Sequence, residues 1–219
     1  MKPGCSINTL WFLLPLLAGA VPAPLSGRDV HPRDNTISAQ LIEAIAPNST
    51  TCNGAEFPKE CATSETAARN LVKSFDTYKV TSLAEQAAII SLLALESGEF
   101  KYNINHWPGV PGQGTRNMQS PAFNAKYGAS LPELSDKLKE VSNDPVKVLD
   151  LLNSNEEYSF GSGAWFLTTQ CSADVRSALQ SGSKAGWTRY IEECVGTKDD
   201  DNRLSYWKKA VQALGVQSS

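Results

Sequence analysis

The chain has 219 residues, of which 41% are hydrophobic and 20% are charged, and this length allows one large or two small globular domains. Its formal net charge is -3 and its isoelectric point is near 5.5, so no basic excess supports binding to nucleic acid or to an anionic membrane. We therefore expect no nucleic-acid partner and no membrane partner.

The first 20 residues have the pattern of a secretory signal peptide. Lys2 precedes the apolar stretch LWFLLPLLAGA, and Ala18-Gly19-Ala20 offers an A-x-A cleavage site. The stretch is shorter than the roughly 20 apolar residues of a membrane-spanning helix. Residues 21–35 carry prolines and charges without periodicity, which is typical of a flexible arm or pro-segment. We predict a secreted, extracellular protein with a single domain over residues 36–219.

A glycosylation acceptor lies near the start of this domain. Asn48-Ser49-Thr50 fits the N-x-S/T pattern, and it follows ISAQLIEAIA, a short predicted helix that Pro47 ends. The pattern predicts a surface loop that carries a glycan at Asn48.

The cysteines are consistent with export. Cys5 lies in the predicted signal peptide, and four cysteines remain after its removal. Cys52 and Cys61 bracket a short loop, while Cys171 and Cys194 bracket a helical hairpin, so we favour disulfides between these neighbours and leave the other pairings open. Neither pair has zinc-site spacing, and the chain has only two histidines. We predict no metal and no cofactor.

Two longer helices are predicted next. SETAARNLVKSFDTY places Ala68, Leu71, Val72 and Phe75 on one apolar stripe. In SLAEQAAIISLLALE, the spacing of Ser82 and Glu85 is that of a capping box. The rest of this helix is apolar on nearly every side, which is typical of a central, buried helix.

The segment from Gly98 to Gly128 interrupts the helical pattern. It contains GVPGQG and three prolines, at positions 108, 111 and 121. Such a segment predicts a long structured loop, with room for a small hairpin.

Helical patterns fill the remainder of the chain. They lie in SLPELSDKLKEV, NDPVKVLDLLN, GSGAWFLTTQ, SADVRSALQ, AGWTRYIEECV and DDDNRLSYWKKAVQAL, with Ser172 as an N-cap and Gly196 and Gly215 as ends. The acidic start of the last segment lacks the spacing of a calcium-binding loop. No segment has a clear strand pattern, so the predicted fold class is all-α.

Glu96 is the candidate catalytic residue because it ends the apolar central helix. A buried carboxylate is costly unless it is paired, so such a residue either finds a partner or favours its protonated form, which suits a general acid. Ser97 and Gly98 let the chain turn sharply and place the carboxylate at the edge of a cleft. The alternative is an ordinary ion-paired glutamate at a helix end.

Short motifs follow Glu96 between Leu93 and Phe123. They are Glu96-Ser97, Gly112-Gln113-Gly114, Met118-Gln119 and then Pro121. This arrangement resembles the lysozyme superfamily, particularly goose-type lysozymes and lytic transglycosylases. GAWFLTT is similar instead to a buried helix of plant-type chitinases and chitosanases, and the whole chain resembles secreted proteins of filamentous fungi.

The resemblance implies a lysozyme-like fold and a glycosidase that hydrolyses or transglycosylates a β-1,4-linked amino-sugar polymer. Glu96 would be its general acid, Ser97 would orient it, and Gln113, Met118 and Gln119 would face the sugar. The implied partner is peptidoglycan, chitin or chitosan, bound by a monomer active in cell-wall carbohydrate metabolism.

Aromatic residues supply further substrate-binding candidates. Tyr102 and Trp107 flank the glycine-rich loop and have rings that stack on sugars, although aromatic residues more often pack in a core. The resemblance also makes Tyr158, in EEYSFGSGAWF, the nearest candidate for a tyrosine of the family's later motif. His106 lies in the same loop, where a lone histidine is usually a surface residue.

The sequence does not assign the second carboxylate that many glycosidases need. Glu99 is nearest to Glu96, but a solvated loop charge is its simpler interpretation, and Glu156 and Glu157 suit the start of a helix. The competing hypothesis is therefore a non-catalytic glycan-binding or effector protein that kept the groove.

Overall fold

Helices make up most of the structure, a computed structural model that describes Met1 and residues 37–217. The α-helices of this part are α1 (Ala39–Ile45), α2 (Ser64–Tyr78), α3 (Leu83–Glu96), α4 (Pro121–Ala129), α5 (Ser135–Val141), α6 (Pro145–Asn153), α7 (Glu156–Gln170), α8 (Ala173–Gln180), α9 (Lys184–Arg189) and α10 (Asp201–Leu214). Two 3-10 helices, Pro47–Thr50 and Pro132–Leu134, and a π-helix, Tyr190–Val195, complete them.

No strand forms within the described residues, and the all-α prediction is confirmed. The predicted signal peptide beyond Met1, with Cys5, and the predicted arm over residues 21–35 lie outside the described residues. None of the described helices is both long and apolar enough to span a bilayer.

Helix α3 is the buried centre of the fold, as its sequence predicts. Every residue from Ala87 to Ala94 is buried, and α3 packs against α7, α8 and α10. A Cβ on Gly163 of α7 would lie 2.5 Å from the Leu93 side chain, so this glycine lets the two helices approach closely. The C-terminal end of α3 is thereby fixed from several sides.

A second apolar cluster supports the segment after the loop. It joins α4, α5, α6 and α7 through Tyr127, Leu131, Leu134, Leu138, Val148, Leu152, Trp165 and Phe166. The Tyr127 hydroxyl donates to the Tyr158 carbonyl oxygen at 2.9 Å. This cluster holds α4 beside the C-terminal part of the glycine-rich segment.

Both predicted disulfides are confirmed. Cys52 and Cys61 are joined with their Cα atoms 5.8 Å apart, and Cys171 and Cys194 with theirs 5.3 Å apart. The second bond ties the end of α7 to the π-helix.

Helix ends agree with the sequence in part. Ser172 caps α8 by accepting from the Val175 N–H, and Gly196 and Gly215 end their helices in the left-handed conformation, as predicted. The predicted capping box is wrong, because the Ser82 side chain makes no cap hydrogen bond. Glu85 instead accepts from Arg176 Nε at 2.8 Å, across to α8.

The glycine-rich loop is shorter than predicted. Helix α4 begins at Pro121, so the loop covers residues 97–120. Proline suits the first turn of a helix, where an N–H is not needed. Instead of a hairpin the loop contains two isolated antiparallel bridges, which join Gly114 to Ile104 and to Gln119.

Candidate functional site

Two adjacent cavities open at the C-terminal end of α3. The amide-lined cavity, about 290 Å³, is lined by Leu92, Glu96, Gln113, Asn117, Met118, Gln119, Ser120, Phe123, Phe166, Val195, Thr197 and Arg203. The aromatic cavity, about 310 Å³, is lined by Leu95, Glu96, Gly98, Tyr102, Ile104, Asn105, His106, Trp107, Gln113 and Met118. Glu96, Gln113 and Met118 belong to both, so the two cavities form one continuous groove.

Glu96 is paired with a cation from the last helix. Its Oε1 accepts from Arg203 Nη2 at 2.8 Å, and its side chain is 25% exposed. Arg203 also donates to Asp200 at 2.6 Å. The ion-paired alternative therefore describes Glu96, with Arg203 as its partner.

A tight turn after Glu96 positions the start of the loop. Gly98, Glu99 and Phe100 all have positive φ, and a Cβ on Gly98 would lie 2.9 Å from the Tyr102 ring. Ser97 is fully buried, donates to the Leu93 carbonyl at 2.6 Å and accepts from the Phe100 N–H at 2.9 Å. Ser97 lines neither cavity, so it shapes the turn rather than contacting the Glu96 carboxylate.

Arg116 anchors the loop from inside. Its Nη1 donates to the Phe100 and Tyr102 carbonyls, and its Nη2 donates to both carboxylate oxygens of Glu156 at 2.8 and 2.9 Å. The Arg116 side chain is completely buried. Burial lowers the pKa of Arg116, and the neighbouring Glu156 carboxylate counteracts this effect.

Amide side chains form the floor of the groove. Gln113 Nε2 donates to the Met118 carbonyl at 2.9 Å, and Gln119 Nε2 donates to Asn124 Oδ1 at 2.9 Å. The side-chain carbonyl oxygens of Asn117 and Gln119 are buried and have no hydrogen-bond donor among the described residues. Such acceptors are costly to leave unpaired, and both residues line the amide-lined cavity, although neither oxygen is itself exposed there.

Aromatic rings form one wall of the groove. Trp107 is 63% exposed, and its ring lies 5.4 Å from the Tyr102 ring at an interplanar angle of 88°. His106 is half-buried rather than an ordinary surface residue, since Nε2 lies 2.8 Å from Glu60 Oε1 and the ring stacks on Phe57. Tyr102 and Trp107 thus belong to the groove, as their positions beside the loop predict.

Other predicted residues lie elsewhere. Tyr158 lines neither cavity and packs instead against the second apolar cluster. Glu99 is 6% exposed rather than solvated, because it accepts from the Tyr206 hydroxyl at 2.8 Å and from the Asn48 N–H. Asn48 itself is exposed on the 3-10 helix Pro47–Thr50, where a glycan has access.

Sequence reasoning missed the residues that come from distant helices. Arg203 is 107 residues from Glu96, and Phe123 and Phe166 supply apolar wall from α4 and α7. Phe166 belongs to the strongly apolar GSGAWFLTTQ segment, which predicts a buried residue but does not indicate a binding site. Arg203 carries no local signal that distinguishes it from a surface arginine.

Comparison with known proteins gives one informative relative. The chain is 44% identical over 156 residues to a bifunctional dioxygenase (DOX)-epoxy alcohol synthase (EAS) of Fusarium oxysporum (strain Fo5176). The match covers 68% of this chain but 12% of the relative, so the chain spans about an eighth of that protein's length. No family model matches the chain, and no solved structure matches it.

The predicted identity as a lysozyme-like glycosidase is therefore wrong. The relative is named for oxidative chemistry, and hydrolase and glycosidase describe a different class of enzyme. The groove agrees with this correction, because Glu96 is bound by Arg203 and no second carboxylate of the described residues lines either cavity. Neither a muramidase, a chitinase nor a transglycosylase is supported as the function.

The donor groups of the described residues do not form a non-haem iron site. Oxygen chemistry generally relies on iron, copper, haem or flavin, and a non-haem iron site takes two histidines and a carboxylate. The described residues contain one histidine, His106, and their four cysteines are all in disulfides. They contain no group of three or more His, Cys, Asp and Glu side chains placed to hold a metal ion.

Proposed function

We propose that this chain is a ligand-binding domain for an oxygenated fatty acid, the class of compound that an epoxy alcohol synthase releases. It would accompany oxidative fatty-acid metabolism without carrying the redox centre. The observation that carries the proposal is the amide-lined cavity, which combines an apolar wall with the neutral polar side chains of Gln113, Asn117 and Gln119. We also propose that the domain is secreted, as its leader pattern and its two disulfides suggest.

The apolar wall suits a hydrocarbon chain. Phe123 and Phe166 meet edge to face with their ring centroids 4.9 Å apart, and Leu92, Met118 and Val195 extend the same surface. Contact with such a surface removes apolar area of a ligand from water, at about 25 cal/mol per Å².

The unpaired acceptors suit a hydroxyl group. Asn117 Oδ1 and Gln119 Oε1 accept hydrogen bonds but cannot donate them, and both are covered in the structure. The proposal therefore requires a side-chain rotation that turns one of these oxygens toward the cavity, where an alcohol supplies the missing donor. A hydrocarbon chain without a hydroxyl leaves both oxygens unsatisfied. This difference predicts a preference for hydroxylated chains over the parent fatty acid.

The relative's name supports this ligand class in particular. An epoxy alcohol combines a carbon chain with one hydroxyl and one epoxide oxygen, and the match places a segment similar to this chain within a protein of that activity. The described donor groups form no non-haem iron site, and we propose binding rather than oxidation as the contribution of this segment.

Calorimetric titration of the purified chain tests the proposal. The ligands are linoleic acid, its hydroxy derivative and its epoxy alcohol derivative, each below its critical micelle concentration. We expect both oxygenated ligands to bind about threefold to tenfold more tightly than linoleic acid, which corresponds to one added neutral hydrogen bond. Equal affinity for the three ligands, or no binding of any of them, would refute the proposal.

Matched variants separate the two parts of the site. Asn117→Leu removes one of the two acceptors, so it should reduce the preference for hydroxylated ligands and leave the affinity for linoleic acid nearly unchanged. Phe123→Ala should lower the affinity for all three ligands by a similar factor. Asn143→Leu and Val146→Ala, which change an exposed asparagine and an exposed valine outside both cavities, serve as controls and should bind like the unmodified chain.

A further inference from the structure

We infer that the aromatic cavity is a separate binding site for an organic ammonium ion, in particular a quaternary ammonium group. This inference rests on the rings and charges of that cavity and does not depend on the ligand proposed for the amide-lined cavity. It concerns Tyr102, Trp107 and Glu96, which the apolar-chain proposal leaves without a specific role.

Two aromatic rings supply the walls of the site. Tyr102 and Trp107 are nearly perpendicular, at 88°, with their centroids 5.4 Å apart, so they bound a corner of the cavity. His106 adds a third ring, 5.4 Å from Trp107 and 5.9 Å from Tyr102. Tryptophan and tyrosine faces attract cations through the ring quadrupole, and quaternary ammonium groups are commonly bound by such corners.

The charges around these rings favour a cation. Glu96 is the carboxylate in the cavity lining, and neither a lysine nor an arginine is part of that lining. Arg203 bonds to Glu96 Oε1, while Glu96 Oε2 accepts no hydrogen bond from a described residue. A second carboxylate, Glu60, lies directly behind His106 at 2.8 Å. The cation would therefore meet a ring surface next to negative charge.

Trp107 is the clearest sign that the site is built for a ligand. It is the one tryptophan among the described residues that is exposed, whereas Trp165, Trp187 and Trp207 are all less than 10% exposed. Its ring is nevertheless held in contact with its neighbours, since Tyr102, His106 and Phe57 all lie within 6.3 Å of it. An exposed but held aromatic ring presents a preformed surface at low entropic cost.

The same charges distinguish two sources of a quaternary ammonium group. A phosphocholine headgroup brings a phosphate close to its cation, and the lining of the aromatic cavity offers that phosphate the Glu96 carboxylate but neither a lysine nor an arginine. Free choline or a similar solute avoids this repulsion. The site should therefore prefer choline to phosphocholine.

Titration with small ligands tests this inference at neutral pH. The probes are choline, phosphocholine and the neutral isostere of choline in which carbon replaces nitrogen. We expect choline to bind about fivefold more tightly than its neutral isostere, the size of a cation–π contribution at a partly exposed site. Equal binding of choline and the isostere, no binding of choline, or tighter binding of phosphocholine would overturn it.

Three variants identify the residues responsible. Trp107→Leu should abolish the preference for choline over the isostere, whereas Trp107→Phe should retain part of it because a ring face remains. Glu96→Gln should weaken the binding of choline without changing the affinity for the isostere. If Trp107→Leu keeps the full preference while remaining folded by circular dichroism, the ring wall is not the site. Hydroxylated lipid binding, followed in parallel, reports separately on the amide-lined cavity.

Discussion

The two ends of α3 carry the same interaction in different surroundings. At the N-terminal end Glu85 accepts from Arg176 at 2.8 Å, and at the C-terminal end Glu96 accepts from Arg203 at 2.8 Å. The Glu85 side chain is 2% exposed and the Glu96 side chain is 25% exposed. The same Glu–Arg ion pair therefore has two different roles. Burial makes the Glu85–Arg176 pair structural, whereas an adjoining cavity makes the Glu96–Arg203 pair accessible to a ligand.

The charges at both ends of α3 act on the phenol of Tyr190. Tyr190 is buried in the π-helix against α3, and burial together with the charges of Glu85 and Glu96 raises the pKa of its phenol. The Tyr190 phenol therefore stays neutral well above physiological pH.

The largest effect is expected at the loop anchor beside the C-terminal end. Arg116→Met should lower the free energy of unfolding by about 3 to 5 kcal/mol, because Glu156 and the Phe100 and Tyr102 carbonyls lose their buried partner. Urea unfolding measures the change. Arg116→Lys is the matched control and should lose less, since it keeps the charge. If Arg116→Met lowers the free energy of unfolding by less than about 1 kcal/mol, the loop keeps its conformation without this side chain.

A smaller loss is expected at the N-terminal end of α3. Glu85→Gln should lower the free energy of unfolding by about 2 to 3 kcal/mol, since it leaves the partly buried Arg176 charge without its counter-charge. Ligand binding in the groove should not change. Comparison with Arg176→Gln in the same urea experiment, and with the double variant, isolates the pair energy. If Glu85→Gln is as stable as the unmodified chain, the Glu85–Arg176 pair is not structural and the two ends of α3 do not differ in this respect.

A pH-dependent effect is expected where α10 contacts the turn after Glu96. Burial, reinforced by the hydrogen bond to Glu99, raises the pKa of Tyr206 to about 12, above its ordinary value of about 10. A raised pKa means that the stabilisation is complete below about pH 10 and is lost as the pH rises toward 12. Tyr206→Phe should cost about 1 to 2 kcal/mol at neutral pH.

Thermal denaturation at several pH values checks this prediction. The difference in melting temperature between the unmodified chain and Tyr206→Phe should shrink between about pH 10 and 12. A difference that stays constant through this range would show that the hydroxyl contributes nothing to the stability of the turn.

The smallest change in stability is expected at Glu96 itself. Glu96→Gln should cost less than about 1 kcal/mol, because the pair is partly exposed and Arg203 keeps its bond to Asp200. Its effect should appear in choline binding instead. A stability loss as large as that of Glu85→Gln would make Glu96 a structural residue and would remove the contrast between the two ends.

Local patterns predicted the helices well and the cleft poorly. The α2 segment SETAARNLVKSFDTY matches Ser64–Tyr78, and the apolar α3 segment is the buried centre. The Ser82–Glu85 capping box failed because a tertiary partner, Arg176, competes for Glu85. Glu99 was interpreted as solvated for the same reason, since Tyr206 lies far away in sequence.

The residues of the candidate site were likewise predicted only in part. Glu96, Gln113, Met118, Gln119, Tyr102 and Trp107 were predicted as neighbours of the loop and do line the groove. Ser97 and Tyr158 do not line it, because one faces the turn and the other faces the second apolar cluster. The short motifs around Glu96 suggested a glycosidase, and residues of these types at this spacing do not by themselves determine a substrate.

The sequence by itself determined the all-α class, the buried α3 and the pairing of neighbouring cysteines, because apolar periodicity and short loops act locally along the chain. Only the tertiary structure decided that Glu96 is bound by Arg203 and that Phe123 and Phe166 complete the cavity. These contacts join residues up to 107 positions apart. Long-range pairs of this kind depend on how α3, α7 and α10 pack, and no local pattern encodes that packing.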